Sequence, residues 1–338
     1  MVQSSNRERT SQFRSGAAGE LGRSPLFSVV VPAYNRERVV TRCLASVLGQ
    51  DFGDFEIIAV DDGSSDGTLA CLRAQGDSRL RVIAHGENRG VGPARNSAIA
   101  VARGDWVIPL DSDDELVPGA LARIRDCALG APATVHALWF PCRMDDGSLS
   151  PEPLPRKPQW DYEGYLGFLE ETRGRWRDML RCVRRPCFAE VGYPANRMLE
   201  DKFHLDFARR FRSRVHPEVL RLYHQDAGNQ LVDHLRSLDP GRDRAFLRDR
   251  ASGFAALLAE HGQALARTAP GVHGDYLQLA ATSALLAGRR VAALGYAARL
   301  AVRYPRRLRG WLLLAAGLAG PRPSLWLQRL ARRRRASR

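Results

Sequence analysis

The fold class is decided by one stretch of sequence, Phe55-Glu-Ile-Ile-Ala-Val-Asp-Asp-Gly-Ser-Ser-Asp-Gly-Thr68. Its first six residues are a short, mostly apolar run, which is typical of a strand buried on both faces within a parallel sheet. The run stops at two adjacent carboxylates, and the glycines and hydroxyl side chains that follow favour a tight turn into a helix. The stretch therefore predicts a strand, an acidic turn and a helix, in that order.

The same alternation of strand and helix extends on both sides of this stretch. Apolar and amphipathic runs predict strands at 27–31, 55–60, 80–84, 106–110 and 134–144, and helices at 38–49, 68–75 and 92–102. We expect Pro32 to end the first strand, whereas 160–214 mixes helix and loop signals. Strands that alternate with helices of this length indicate an α/β protein, with a parallel sheet covered by helices on both faces.

The positive charge of the chain is concentrated at one end. The 338 residues include 51 Lys and Arg against 37 Asp and Glu, and the formal net charge is +14. Residues 276–338 contain fourteen arginines and no Asp or Glu, so the preceding 275 residues are neutral. A protein that is basic throughout, as many nucleic-acid binders are, is therefore excluded. Aromatic residues are not interleaved with these arginines, and we expect no specific nucleic-acid partner.

The C-terminal region differs in composition from the rest. From about residue 235 the sequence is rich in Ala, Leu and Arg with helical periodicity, which predicts a helical, basic region at 231–338. Two of its segments, 304–314 and 326–335, join arginines to apolar and aromatic residues. Such segments suit an anionic membrane surface, at roughly 1 kcal/mol for each basic residue near the headgroups. The alternative is a helix that packs on the rest of the protein, followed by a solvated Arg tail.

Cysteine usage and hydropathy indicate the compartment. The six cysteines have no paired spacing, which favours free, mostly buried thiols in a reducing compartment over disulfides or a zinc site. Residues 1–24 are polar, without an apolar signal core, and predict a disordered tail. The strongly apolar stretch 311–320 has about ten residues, whereas a membrane-spanning helix needs about twenty. We expect a cytoplasmic protein that contacts a membrane peripherally.

Two acidic clusters follow predicted strands. In the first, helix capping explains Asp66 but not the pair Asp61 and Asp62, whose like charges repel unless a ligand or cation relieves them. The second is Leu110-Asp-Ser-Asp-Asp-Glu115, and its oxygens suit Mg²⁺ or Mn²⁺ bridged to a diphosphate. A solvated acidic turn is the alternative there. Neither a Walker A nor a Gly-x-Gly-x-x-Gly pattern is present, so the sequence favours phosphate handling through a metal and acids.

Five motifs then occur in one order. They are Val29-Val-Val-Pro-Ala-Tyr-Asn35, Ser46-Val-Leu-Gly-Gln50, Asp61-Asp-Gly-Ser-Ser-Asp-Gly-Thr68, Asn88-Arg-Gly90 with Ala94-Arg-Asn96, and Leu110-Asp-Ser-Asp-Asp114. In this combination the sequence resembles the family-two glycosyltransferases, strongly over 27–125 and more weakly to about 230. The resemblance implies the GT-A fold, a Rossmann-like sheet with flanking helices. It implies a GT-A domain at 25–230, with a nucleotide-sugar-binding half at 25–130 and an acceptor half at 131–230.

The resemblance also implies roles for individual residues. The strand-end acid Asp62 contacts the nucleobase, with Pro32 and Tyr34 as the floor beneath the base. Asp111 serves the donor sugar or ribose, and Asp113 is the direct ligand of a divalent metal. His224 is a candidate to complete the metal shell, and a structural histidine in the core is the alternative.

A further motif, after these five, contains the residue that the resemblance assigns to catalysis. Met198-Leu-Glu-Asp201 resembles the family's Glu-Asp element, in which the second acid, here Asp201, is the general base. The alternative is that both acids simply open a helix, where they favour the helix dipole, and Glu200 and Asp206 are further candidates for the base. The family's Gly-Phe-Asp-Glu run is replaced here by Gly192-Tyr-Pro-Ala195. Arg95 is a candidate to neutralise a phosphate, with an ordinary surface arginine as the alternative.

These features imply an inverting, metal-dependent glycosyltransferase. It would move a sugar from a nucleotide-diphosphate sugar, with a UDP-sugar favoured, to a hydroxyl of a glycan or lipid-linked acceptor in bacterial surface polysaccharide or glycolipid synthesis. A sugar-nucleotide nucleotidyltransferase would carry a Gly-rich loop with Arg and Lys after the first strand, where this chain has Pro32-Ala-Tyr-Asn-Arg36. A non-catalytic nucleotide-sugar-binding module would lack an acid at position 113 or 201, and both acids are present.

Overall fold

The computed structural model describes residues 24–173, 178–195, 200–226 and 243–319. Its strands are β1 Phe27–Ala33, β2 Phe55–Asp61, β3 Leu80–Ala84, β4 Trp106–Pro109, β5 Glu115–Leu116, β6 Ala137–Met144, β7 Leu149–Ser150, β8 Gln159–Trp160, β9 Met179–Arg184, β10 Ser213–Val215 and β11 Arg221–Tyr223. Its helices are α1 Val40–Leu48, α2 Thr68–Arg73, α3 Val91–Ile99, α4 Ala120–Leu129, α5 Tyr162–Glu171, α6 Glu200–Arg210, α7 Arg244–Thr268, α8 Pro270–Leu286, α9 Arg290–Arg303 and α10 Leu308–Ala319.

The main sheet has the strand order β3-β2-β1-β4-β9-β6-β10-β8. The pairs β3–β2, β2–β1 and β1–β4 are parallel, as the alternation of strands and helices predicts. The expectation of a fully parallel sheet is wrong beyond β4, because β9 lies antiparallel between β4 and β6. The sequence did not predict β9 because Arg181 interrupts its apolar run, yet this arginine is buried.

The first strand is longer than predicted. It continues through Pro32 to Ala33, which pairs with Asp61 at the end of β2. Registered pairing between β1 and β4 stops at Val30 opposite Pro109. Beyond that point no β4 residue faces Pro32, so its missing N–H removes no ladder hydrogen bond.

Helices cover both faces of the parallel half. On one face, Val29, Val31 and Ile57 pack with Val40 and Leu44 of α1 and with residues of α4. On the other face, the alternate strand residues pack against Ala94 and Ala98 of α3. Because successive strand side chains point to opposite faces, a strand buried on both sides needs an uninterrupted apolar run, and β1 and β2 have one.

The C-terminal helices continue the core of the second half. Aromatic residues of the sheet, α5 and α6 share one apolar cluster with Phe254 and Leu257 of α7 and Tyr276 of α8. A helical C-terminal region is therefore confirmed for 244–319. The border predicted at residue 230, most of the predicted tail at 1–24 and the arginines beyond 319 lie outside the described residues. Among the helices of the described ranges, none is both long and apolar enough to cross a membrane.

Candidate active site

Strands β1, β2 and β4 end at the same edge of the sheet because they are parallel. Tyr34 follows β1, Asp61 and Asp62 end or follow β2, and Asp111 comes two residues after β4. Open α/β sheets bind their ligands at this carboxyl edge, beside the point where the strand order reverses. Here β1 is that point, since its neighbours are β2 on one side and β4 on the other.

Asp62 is buried and holds the neighbouring loop. Its carboxylate accepts hydrogen bonds from the backbone amides of Arg89 and Gly90, the latter at 2.7 Å, and its Oδ1 lies 2.7 Å from Nδ1 of His85. The other ring nitrogen of His85 lies 3.0 Å from the hydroxyl of Ser97 on α3. Asp62 therefore fixes the start of α3 relative to β2, in addition to the base contact expected of it.

The loop after β2 is built for close approach. Gly63 has a φ of +72°, and a Cβ there would lie 2.5 Å from the carbonyl carbon of Glu87. Asn35 is also in the left-handed region, with a φ of +53°. Its side-chain oxygen accepts a hydrogen bond from the backbone amide of Ser65, and its backbone amide donates to the hydroxyl of Ser64. Next to these contacts, Oδ1 of the buried Asp61 has no hydrogen-bond partner among the described residues. A buried acceptor left unpaired is suited to a ligand donor.

Tyr34 and Pro32, the two residues expected beneath the nucleobase, differ in exposure. Tyr34 is 41% exposed and presents its side chain at the end of β1. Pro32, in contrast, is buried within the strand. An aromatic ring exposed at a ligand edge offers a stacking surface, whereas Pro32 contributes by shaping the backbone beneath it.

The acids after β4 have different surroundings. The Asp113 carboxylate lies 3.6 Å from Nη2 of Arg36, and burial, with Asp111 next in effect, raises its pKa despite this cation. Burial raises the pKa of Asp114 well above its usual range, and Arg221 at 3.4 Å offsets part of the effect. Burial is thus the main cause of both raised pKa values, and a bound cation would lower them by favouring the ionised carboxylates.

His224 lies beside the acidic cluster rather than in an apolar core. Its Nδ1 is 2.6 Å from Asp145, its Nε2 is 2.9 Å from Glu115, and its backbone amide donates to Asp114. Arg42 of α1 reaches the same place, 3.3 Å from Glu115. The oxygen-rich donor set with one imidazole has the chemistry of a Mn²⁺ or Mg²⁺ site.

The geometry of this set is not that of a closed metal site. Within the described residues, the group whose ligating atoms approach within 4.8 Å of one another is Asp206, Glu260 and His261, not Asp111, Asp113 and His224. In that group Lys202 already lies 2.7 Å from Asp206 and 2.8 Å from Glu260. An ammonium group thus occupies the place of a cation, and the group is a structural ion-pair network.

Arg95 connects Asp111, after β4, to Glu200 at the start of α6. The guanidinium lies 2.6 Å from Asp111 and 2.7 Å from Glu200, and its carbon is 5.1 Å from the ring centroid of Tyr193. Although burial opposes the charge, Glu200 and Asp111 hold the pKa of Arg95 well above its usual range. Arg95 is therefore a buried bridge, and the surface arginine that the sequence left open is excluded by its 3% exposure.

Glu200 and Asp201 open α6, as the alternative from the sequence predicted, but their environments differ. Burial alone would raise the pKa of Glu200, yet Arg95 and Arg181 hold it well below its usual range. The pKa of Asp201 is raised by burial and then by Glu200. Since a carboxylate of low pKa is a weak base, Asp201 is the better proton acceptor of the two.

The C-terminal helices reach Asp201. The hydroxyl of Tyr276 on α8 lowers the pKa of Asp201 in part, as does the charge of Arg250 on α7. Arg250 donates through Nε to Ser283 at 3.1 Å, and among the described residues its Nη1 has no hydrogen-bond partner. Asp206, the other candidate base, pairs with Lys202 and His261 instead.

Sequence reasoning missed the contacts that join the two halves. Asn96 donates to the carbonyl of Tyr193 and accepts from its amide, at 2.8 and 3.0 Å. A Cβ at Gly92 would lie 2.5 Å from the carbonyl oxygen of Pro194. The motif Ala94-Arg-Asn96 was the available signal, but its partners are about a hundred residues away. Arg36, Arg42, Arg221, Arg250 and Tyr276 had no local signal at all.

Sequence comparison matches part of the chain to a known family. Residues 28–174 match the model for Glycosyl transferase family 2. The chain is similar to the succinoglycan biosynthesis protein ExoO of Rhizobium meliloti (strain 1021), with 41% identity over 147 residues, 42% of this chain and 42% of ExoO. It is also similar to chondroitin synthase of Escherichia coli, with 42% identity over 108 residues, 31% of this chain and 16% of the synthase. The chain thus matches less than half the length of these relatives.

Structure comparison covers more of the chain. TarS 1-349 of S. aureus in complex with UDP-GlcNAc has a TM-score of 0.56 at 19% identity, over 88% of this chain and 92% of that one. TarS of S. aureus in a longer form has a TM-score of 0.57 at 18% identity, over 86% of this chain and 54% of that one. At this identity the likeness shows the fold, and it confirms the GT-A architecture expected from the sequence motifs.

Proposed function

We propose that the protein is an inverting glycosyltransferase, from the match of residues 28–174 to the model for Glycosyl transferase family 2. The donor is a nucleotide-diphosphate sugar with a UDP-sugar favoured, and the acceptor is a hydroxyl of a glycan or lipid-linked glycan. The name of TarS in complex with UDP-GlcNAc supports the donor class. The names of ExoO, a succinoglycan biosynthesis protein, and chondroitin synthase support bacterial polysaccharide as the product.

One observation carries the proposal. Arg95 spans from the donor-side acid Asp111 to Glu200, so a single buried guanidinium links the strand-end acids to the residue beside Asp201. The chain neighbour of Asp201 is therefore tied to Asp111 through one side chain. An inverting displacement needs a base on one side of the anomeric carbon and charge stabilisation for the leaving diphosphate on the other.

The residues then have the following roles. Asp201 accepts the proton of the acceptor hydroxyl as its oxygen attacks the anomeric carbon, and the nucleoside diphosphate leaves with the bonding electron pair. Tyr34 stacks beneath the base, above the strand that Pro32 shapes, and Asp61 or Asp62 accepts from the base. Asp111 orients the donor, and Arg95 holds Asp111 and Glu200 at fixed positions.

Asp113 and His224 would hold a divalent metal. When bound, Mg²⁺ or Mn²⁺ supplies positive charge to the diphosphate oxygens and favours departure of the leaving group. Asp113 and Asp111 are neighbouring carboxylates after β4, and oxygen ligands of this kind are the ones that these cations prefer. We further propose a cytoplasmic location, consistent with six free cysteines.

The test is donor binding by the full chain. We expect UDP with Mn²⁺ to raise the melting temperature, because a ligand at a hundredfold excess over its Kd stabilises a fold by roughly 2.7 kcal/mol. Asp113→Asn should abolish the part of the shift that depends on Mn²⁺, while the matched surface control Asp126→Asn should retain it. An unchanged Mn²⁺-dependent shift in Asp113→Asn would reject the metal assignment, and no shift with any nucleoside diphosphate would reject the donor class. Binding without turnover in the wild type would favour a non-catalytic module.

A further inference from the structure

Exposed apolar side chains are concentrated in the last two helices. Among the described residues, ten large apolar side chains are exposed, and six of them lie between Val291 and Leu318. Leu308 is 74% exposed and Leu312 is 59% exposed. Both belong to α10, a helix of 12 residues whose only charged side chain is Arg309. Isolated exposed apolar residues are ordinary, but a concentration of them marks an interaction surface.

The exposed residues of α10 form one stripe. We define the α10 stripe as Leu308, Trp311, Leu312, Ala315 and Leu318, all of which are exposed. At 3.6 residues per turn these five positions fall within about a third of the helix circumference. The stripe is therefore a continuous apolar face and not a scatter of single residues.

The opposite face of α10 holds the helix in place. A Cβ at Gly310 would lie 3.0 Å from the amide nitrogen of Ala301 on α9, and one at Gly317 would lie 2.7 Å from the side chain of Leu294. Arg307 donates to Asp275 on α8, and Arg290 donates to the carbonyl of Gly317, each at 2.8 Å or less. Since the glycine face is used for packing, the helix presents its stripe outward.

The charged side chains of α10 and of the turn that precedes it are all basic. Arg306 and Arg309 are exposed next to the stripe, and residues 276–338 contain no Asp or Glu. A protein partner that covered the stripe would also have to be acidic, whereas an anionic bilayer offers an apolar interior and negative headgroups together. Trp311, whose Nε1 donates to the carbonyl of Pro305, has the amphipathic ring that favours the bilayer interface.

We propose that the α10 stripe and Arg306 with Arg309 bind the surface of an anionic lipid bilayer. The apolar side chains enter the boundary between headgroups and acyl chains, and the two guanidinium groups pair with lipid phosphates. The helix lies in the plane of the interface, since its glycine face remains packed on α9. This surface is independent of the donor site, and its occupancy does not depend on the reaction.

The experiment measures cosedimentation of the full chain with vesicles of phosphatidylglycerol and phosphatidylcholine. Leu308→Gln/Leu312→Gln should lower the partition coefficient at least tenfold, from the apolar area that no longer leaves water. Arg306→Gln and Arg309→Gln should each lower it by about fivefold, and less at high salt. The controls are Leu129→Gln on α4, where the leucine is 67% exposed, and Arg73→Gln on α2. Both controls should partition like the wild type.

Three outcomes overturn the proposal. One is equal partition of Leu308→Gln/Leu312→Gln and the wild type, which would leave the binding to other residues. Another is a loss of folding stability in that double variant, measured by urea unfolding, as large as its loss of binding, because the stripe would then pack against this chain. The last is a wild type that forms dimers and does not cosediment with vesicles, while the double variant is monomeric. The stripe would then bind a second copy of this chain.

Discussion

The hydroxyl of Tyr276 interacts with the carboxylate of Asp201 and lowers its pKa, although 75 positions separate the two residues in the sequence. Tyr276 belongs to α8 of the C-terminal helices, and Asp201 opens α6 beside the donor-side acids. The helical region is thus a wall of the candidate site. Because this interaction favours the ionised carboxylate, it offsets part of the rise in the pKa of Asp201 that burial and Glu200 cause.

The interaction of Tyr276 with Asp201 leads to a prediction for how kcat/KM depends on pH. The pKa of Asp201 is raised above its usual range, so kcat/KM should fall as the pH drops through that raised value and the carboxylate is protonated. Tyr276→Phe removes a donor that lowers the pKa, so the acidic limb of the profile should move to higher pH. Tyr296→Phe on α9 should leave the limb in place. A profile that is unchanged in Tyr276→Phe would mean that Asp201 is not the titrating base.

The two acids at the start of α6 should respond differently to neutralisation. Asp201→Asn should reduce kcat by about 10²–10⁴-fold, the usual contribution of a positioned base, and change the free energy of unfolding little. Glu200→Gln should chiefly reduce stability, because it leaves Arg95 and Arg181 with uncompensated buried charge. Turnover assays and urea unfolding of both variants separate the roles. If Glu200→Gln lost turnover at full stability, the base would be Glu200.

Arg95 should matter to stability far more than a surface arginine does. Arg95→Gln leaves Asp111 and Glu200 without their shared cation, and breaking a buried ion pair costs about 3–5 kcal/mol. Arg125→Gln, which removes an exposed pair with Asp126, should cost less than about 1 kcal/mol. Urea unfolding measures both. Equal costs would show that the Arg95 bridge is not formed in solution.

Two glycine-to-alanine substitutions should change the free energy of unfolding in opposite directions. Gly92→Ala places a Cβ 2.5 Å from the carbonyl oxygen of Pro194, so we expect a loss of about 1–3 kcal/mol. At Gly295 on α9 a Cβ would meet nothing within 4 Å, and alanine should stabilise the helix by about 0.5–1 kcal/mol. Free energies of unfolding of both variants test the close approach of α3 to the loop at Pro194. A neutral Gly92→Ala would argue against that approach.

The sequence alone determined the parallel half of the sheet and the position of its acids. A strand buried on both faces must be continuously apolar, and its end is marked where carboxylates begin, so β1, β2 and β4 could be recognised from local pattern. Parallel strands bring their carboxyl ends to one edge, and this placed the acids at 61–62 and 111–115 together before any coordinates. The base Asp201 and the metal ligands stay predictions.

Only the tertiary structure decided how these acids are paired. The antiparallel strand β9 was missed because Arg181 is polar in sequence yet buried against Glu200. Arg95 has the same pattern whether it lies on a surface or bridges Asp111 and Glu200, and Tyr276 carries no local sign of its contact with Asp201. Local patterns record which side chains leave water, whereas charge pairing depends on which distant residues the fold brings within a few ångströms.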